Sequence, residues 1–111
     1  MAAEPSHVRR AARCIRQFLA ALDASLHHIE ELRLAFQLDN PTRAIAAITA
    51  YQRSAANALC AALTLEDTTS HPQHHAWNAL NRLHHVARGP LALAWNLVSR
   101  LPSHFITRDK A

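Results

Sequence analysis

Nine histidines in 111 residues are the first place to look for chemistry. His71 and His75 stand four apart, a spacing that sets both on one face of a helix, as zinc ligands can be. His27 and His28 precede Glu30 and Glu31, so His27–Glu31 and His28–Glu31 can also share a face. A di-iron bundle would instead need Glu-x-x-His motifs and further inward glutamates on partner helices. Here the order is reversed, the chain has only four Glu, and no H-E-x-x-H occurs. Most of the histidines read as solvent-facing residues beside helix ends, while His84 falls on an apolar stripe and reads as a hydrogen-bonded core residue. No metal site and no cofactor are therefore expected, and His71 and His75 come nearest to a ligand pair. Cys14 and Cys60 lack C-x-x-C spacing and lie inside helical segments, where thiols are inert. One glycine, Gly89, leaves no material for a glycine-rich phosphate loop. The residues do not assemble an enzyme.

The arginines are more informative. Eleven Arg and one Lys stand against four Asp and four Glu, giving a net charge of +4 with the histidines neutral. The histidines would add further charge between about pH 7 and pH 5. Arg9, Arg13 and Arg16 share one helical face at the start of the chain. Positive charge in the first turns opposes the helix macrodipole, so something should offset it. One offset is ion pairing with Glu66 and Asp67, which a helical hairpin returns to the same end. The other is an acidic partner or phosphate. Nucleic acid is the weaker expectation, because Lys is scarce, basic and aromatic residues do not interleave, and no helix-turn-helix spacing appears.

Two motifs invite comparison with known families. His85-Val86-Ala87-Arg88-Gly89 resembles the H-x-x-K/R-G core of histidine phosphotransfer domains, in which the matching His, here His85, would accept a phosphoryl group. The resemblance covers five residues, and Pro90 follows directly where that family continues its helix. Arg16, Leu19, Leu22-Asp23, Leu26, Ile29 and Arg33 resemble the first helix of the small helical chorismate mutases, whose paired arginines grip carboxylates. The next basic residue after Arg33 is Arg43, past a Pro41 break, and the second helix carries no Glu until its end. Phosphotransfer through His85 is thus a remote alternative, and the mutase chemistry lacks its remaining residues.

The elements that must position these residues are helices. Twenty-three alanines and fifteen leucines with few β-branched residues favour helix, and a single glycine disfavours tight hairpins. The first segment spans 6–37, where Ile15, Leu22, Ile29 and Phe36 recur every seven residues, flanked by Leu19, Leu26, Phe18 and Leu32. Asp39-Asn40-Pro41 breaks the chain and caps a second helix over 41–65, with a stripe of Ile45, Ile48, Ala55, Leu59 and Leu63, Tyr51 beside it, and alanines that permit close approach. Ser70-His71-Pro72 opens a third over 71–101, with Trp77, Leu80, His84, Ala87, Leu91, Ala94, Val98 and Leu101 in phase. Pro90 removes a hydrogen bond and should kink or split that helix at Gly89-Pro90, and Pro102 ends it, leaving 102–111 as a tail.

The expected architecture is all-α: one domain over 1–111, an up-down-up antiparallel bundle of three long helices, or four if the third splits. No apolar run is long enough to span a membrane, the first twenty residues carry four arginines unlike a secretory signal, and the two cysteines suit a reducing, cytoplasmic setting. The apolar stripes are wider than a narrow seam requires. That excess points to a small non-enzymatic adaptor or regulator, of the export-chaperone, anti-activator or inhibitor kind, binding a partner protein through an apolar helical face. Arg9, Arg13, Arg16, Leu93 and Leu97 are the candidate contact residues. A homodimer would be one way to cover the excess, and an arginine-mediated nucleic-acid binder is the alternative.

Overall fold

A computed structural model of the chain describes residues 6–66 and 71–101, with side chains at 8–65 and 74–101. Three helices, α1 (Ser6–Gln37), α2 (Pro41–Glu66) and α3 (His71–Val98), run up, down and up and pack against one another. No strand occurs among the described residues. α1 and α2 form the most extensive contact, and α3 lies more sparsely against both.

Local chemistry sets the α1–α2 turn. Asp39 adopts a left-handed conformation with φ of 53°. Its N–H donates to Phe36 O at 3.1 Å, and the N–H of Asn40 donates to Ala35 O at 3.0 Å. This pair of bonds is the Schellman closure of a helix C-terminus. Asn40 then caps α2, its Oδ1 accepting from Arg43 N at 3.1 Å, and Pro41 takes the first helical position as the sequence predicts. Arg43 reaches back across the hairpin to Glu31, with Nε and Nη2 donating to Oε2 at 3.1 and 3.0 Å.

The core divides into three layers. Near the start of α1, Cys14, Phe18 and Ala21 meet Ala58, Ala62, Leu65 and Leu80. Ile29, Tyr51, Leu83 and Ala87 fill the middle, and Leu32, Ala35, Ala44, Ile48, Ala94 and Leu97 fill the far end. Between the first two layers the Oγ atoms of Ser25 and Ser54 lie 2.8 Å apart, joining α1 to α2 through a buried polar contact. Ser25 Oγ also lies 2.8 Å from Ala21 O, and Ser54 Oγ lies 3.0 Å from Tyr51 O. Two hydroxyls bring two protons to these three contacts, so only two can be hydrogen bonds at once.

The buried seam of α1 is therefore Cys14, Phe18, Ala21, Ser25, Ile29, Leu32 and Ala35. Of the stripe expected from sequence it contains Phe18, Ile29 and Leu32. Leu19, Leu26 and Phe36 are exposed, and Ile15 and Leu22 are half-buried. On α2 the same correction applies: Leu59 and Leu63 are exposed, Ile45 and Ala55 are half-buried, and Ala44, Ala47, Tyr51, Ala58 and Ala61 join Ile48 inside. Small side chains line the hairpin because they let two helix backbones approach, and this leaves the larger ones on its flanks.

α3 corrects three further expectations. The helix runs continuously through Pro90, so the split into a fourth helix does not occur among the described residues. The carbonyl of Val86 loses its helical partner there, but Val86 stands on the exposed side of α3, where water can reach it. His84 is exposed, and its neighbour Leu83 occupies the core. The predicted and observed stripes share Leu80, Ala87, Ala94 and Val98 and differ in which residues between them turn inward. Helical structure ends at Val98 rather than 101, because Arg100 and Leu101 bond to carbonyls three residues back, at 3.3 and 3.0 Å, and tighten the chain out of α geometry.

Candidate functional site

The alanine-rich hairpin leaves two rows of α1 outside its seam. One is Ile15, Leu22 and Phe36, in the row that enters the seam at Ile29, and the other is Leu19, Leu26 and Arg33, each row spaced by seven. Across from them α3 offers Ala79, Val86 and Leu93, again seven apart, with His75, Arg82 and Gly89 in the adjoining row. These rows meet along the α1–α3 junction. At one end Ile15, Phe18, Leu19, Leu22, His75 and Ala79 line an apolar groove of about 440 Å³. At the other, Arg33, Phe36, Gly89, Pro90 and Leu93 line a second hollow. Leu26 and Val86 lie between the two, in register with both rows. Leu19 is 58% exposed, Leu26 50% and Leu93 42%, so one face of the monomer carries a strip of large uncovered apolar side chains.

Gly89 adds to the hollow. A methyl group built there would meet nothing within 4 Å, and no glycine has a positive φ. Gly89→Ala is accordingly expected to stabilise the fold by about 0.5–1 kcal/mol, the ordinary helix-interior difference between the two residues. A rise in the urea midpoint with an unchanged slope would register it.

Charge is arranged around the strip. Arg9, Arg16, Asp23 and Glu30 form a row, seven residues apart, along its outer α1 edge. Arg33 pairs with Glu30 within α1. Arg9, Arg13 and Arg16 are all exposed, and no ion pair among the described residues involves them. Their expected pairing with Glu66 and Asp67 lies outside the described side chains. Arg9 and Arg16 border the strip, while Arg13 points farther from it.

The remaining candidate residues are dispersed. Leu93 lines the second hollow, but Leu97 is 1% exposed and packs in the core with Leu32 and Ala94, so it is not on the open face. His75 is exposed at the groove, and the side chain of His71 lies outside the described set. No group of three or more His, Cys, Asp or Glu that could hold a metal ion occurs among the described residues. Glu31 is engaged by Arg43 rather than by His27 or His28. His85 and Arg88 are exposed on α3, Cys14 is buried and Cys60 is exposed. No helix among the described residues is long and apolar enough to cross a membrane.

Compared with known protein families, with curated proteins and with solved structures, the chain matches none.

Sequence reasoning placed Tyr51 only beside a stripe. The structure buries it in the middle layer, with no hydrogen-bond partner for its hydroxyl among the described residues. Desolvation by burial pushes the phenol above its ordinary pKa. Tyr51→Phe removes the orphaned hydroxyl and is expected to stabilise the fold by about 1 kcal/mol. The pH dependence follows in sign. The folded state holds this proton more tightly than the unfolded state, so the wild type keeps its stability below about pH 10 and loses it as pH rises through the raised value. The gap between Tyr51→Phe and wild type should widen above about pH 10, as chemical denaturation across alkaline pH would record.

Proposed function

We propose that the chain is a small non-enzymatic helical adaptor that binds a partner protein along the α1–α3 face. One observation carries this reading. Leu19, Leu26, Phe36, Val86 and Leu93 stand uncovered in seven-residue rows along the α1–α3 junction, with a hollow at each end. Scattered exposed leucines need no explanation, whereas a continuous strip between two helices is the surface that receives an amphipathic helix. The strip runs from Ile15 to Phe36, a distance of about 32 Å at the helical rise, or about six turns of a docked helix. Arg9 and Arg16 lie at its border as polar rim contacts, and Leu93 lies at its Phe36 end.

The test compares capture of lysate proteins by the immobilised full chain and by two variants. Leu26→Glu with Leu93→Glu should abolish capture while stability stays within about 1 kcal/mol of wild type, because both side chains already stand about half in water. Arg9→Gln with Arg13→Gln and Arg16→Gln should retain most of it. If nuclease or the triple arginine change removes the captured material and the leucine changes do not, the arginine-mediated nucleic-acid reading takes its place. A steep loss of affinity with salt would accompany that result.

A further inference from the structure

We infer that the occupant of the α1–α3 groove is an amphipathic helix with acidic flanks, an inference that rests on the adaptor reading above. α3 contains no Asp or Glu over its 28 residues. Two of its cationic or titratable residues, His75 and Arg82, share the row that borders the groove, and His75 lines the groove itself. Arg33 lines the second hollow. Opposite them, the α1 rim is positive at one end, through Arg9 and Arg16, and acidic toward the other, through Asp23 and Glu30. Glu30 is already engaged by Arg33.

A helix lying on the apolar strip must pass its flanking side chains along these two rims. On the α3 side it meets Arg82 and no negative group. On the α1 side it meets arginines over its first turns beside Arg9 and Arg16. Glutamate or aspartate along the α3 flank, and on the α1 flank beside Arg16, satisfies this arrangement, whereas lysine or arginine would face like charge along α3, and like-charge juxtaposition across an interface suppresses the wrong partner. A second copy of this chain is the less complementary occupant. It brings a further charge of +4 and an α3 equally free of acids.

The experiment uses the full chain and two fluorescent 21-residue helical peptides with the same leucine spine, one flanked by Glu and one by Lys, read by anisotropy at about 50 mM salt. The Glu peptide should bind at least ten-fold more tightly than the Lys peptide, and the difference should shrink at about 500 mM as screening sets in. Arg16→Glu with Arg82→Glu, both at exposed positions, should reverse the preference without altering the circular dichroism spectrum. Equal binding of the two peptides overturns the acidic-flank inference and leaves the apolar face as the docking surface. Failure of both peptides, together with a dimer that Leu26→Glu dissolves in sedimentation, also overturns it and assigns the face to a second copy. Failure of both peptides with a monomer at all concentrations overturns this inference and the adaptor reading together.

Discussion

Leu32→Ala is expected to cost about 2–5 kcal/mol of stability, and Leu26→Ala, six residues earlier on the same helix, less than about 1 kcal/mol. Leu32 is fully buried at the far layer of the core, against Ala35, Ala44, Ile48 and Leu97. Removing three carbons there forfeits the transfer of apolar surface from water. It also leaves a cavity that neighbours already as small as alanine cannot collapse to fill. Leu26 sits half in water on the open strip, so its truncation removes little that the fold buries. The contrast bears on function as well as stability, because it assigns one leucine to the bundle and the other to the face offered to a partner. Urea midpoints of the two variants, measured with equal slopes, would decide it. Similar costs for both would mean that α1 turns its seven-residue row inward, and the exposed strip would no longer exist.

The helix count, the up-down-up order and the first connection were legible in the sequence because their causes are local. A cap at Asp39 or Asn40 and Pro41 as a first helical residue follow from unpaired N–H groups and a fixed φ, whatever the tertiary fold does, and the structure gives the cap to Asn40. The choice between adjacent faces of α1 was not legible. Ile15, Leu19, Leu22 and Leu26 make the stronger apolar pattern, and a reading weighted by side-chain size places the core there. The structure puts Cys14, Ala21, Ser25 and Ala35 inside instead. A small residue at a close helix contact looks, in sequence, like a small residue on a surface, and a buried serine looks like a surface one until Ser54 is seen across from it. The same ambiguity exchanged Leu83 for His84 on α3 and left Leu97 among the candidate contacts. The candidate face was half legible: the excess of large apolar residues on α1 was visible, but only the position of α3 shows which of them remain uncovered.

The second large effect tests the small-residue seam itself. Ala58→Leu is expected to destabilise the fold by about 1–3 kcal/mol, whereas Ala56→Leu, two residues away on the same helix, should change stability by less than about 0.5 kcal/mol. Ala58 is fully buried in the layer that holds Phe18, Ala21 and Leu65, with the Ser25–Ser54 contact of 2.8 Å joining the same two helices one turn along. A leucine has no room there without moving α1 away from α2. Such a shift stretches the serine contact and exposes a buried hydroxyl pair to imperfect bonding, which adds to the steric cost. Ala56 is exposed, so the same added carbons meet water. If both substitutions proved neutral, the two backbones would not be closely packed at this level. The larger side chains of α1 would then have space to rotate toward α2, and Leu19 and Leu26 would be core residues rather than a docking surface.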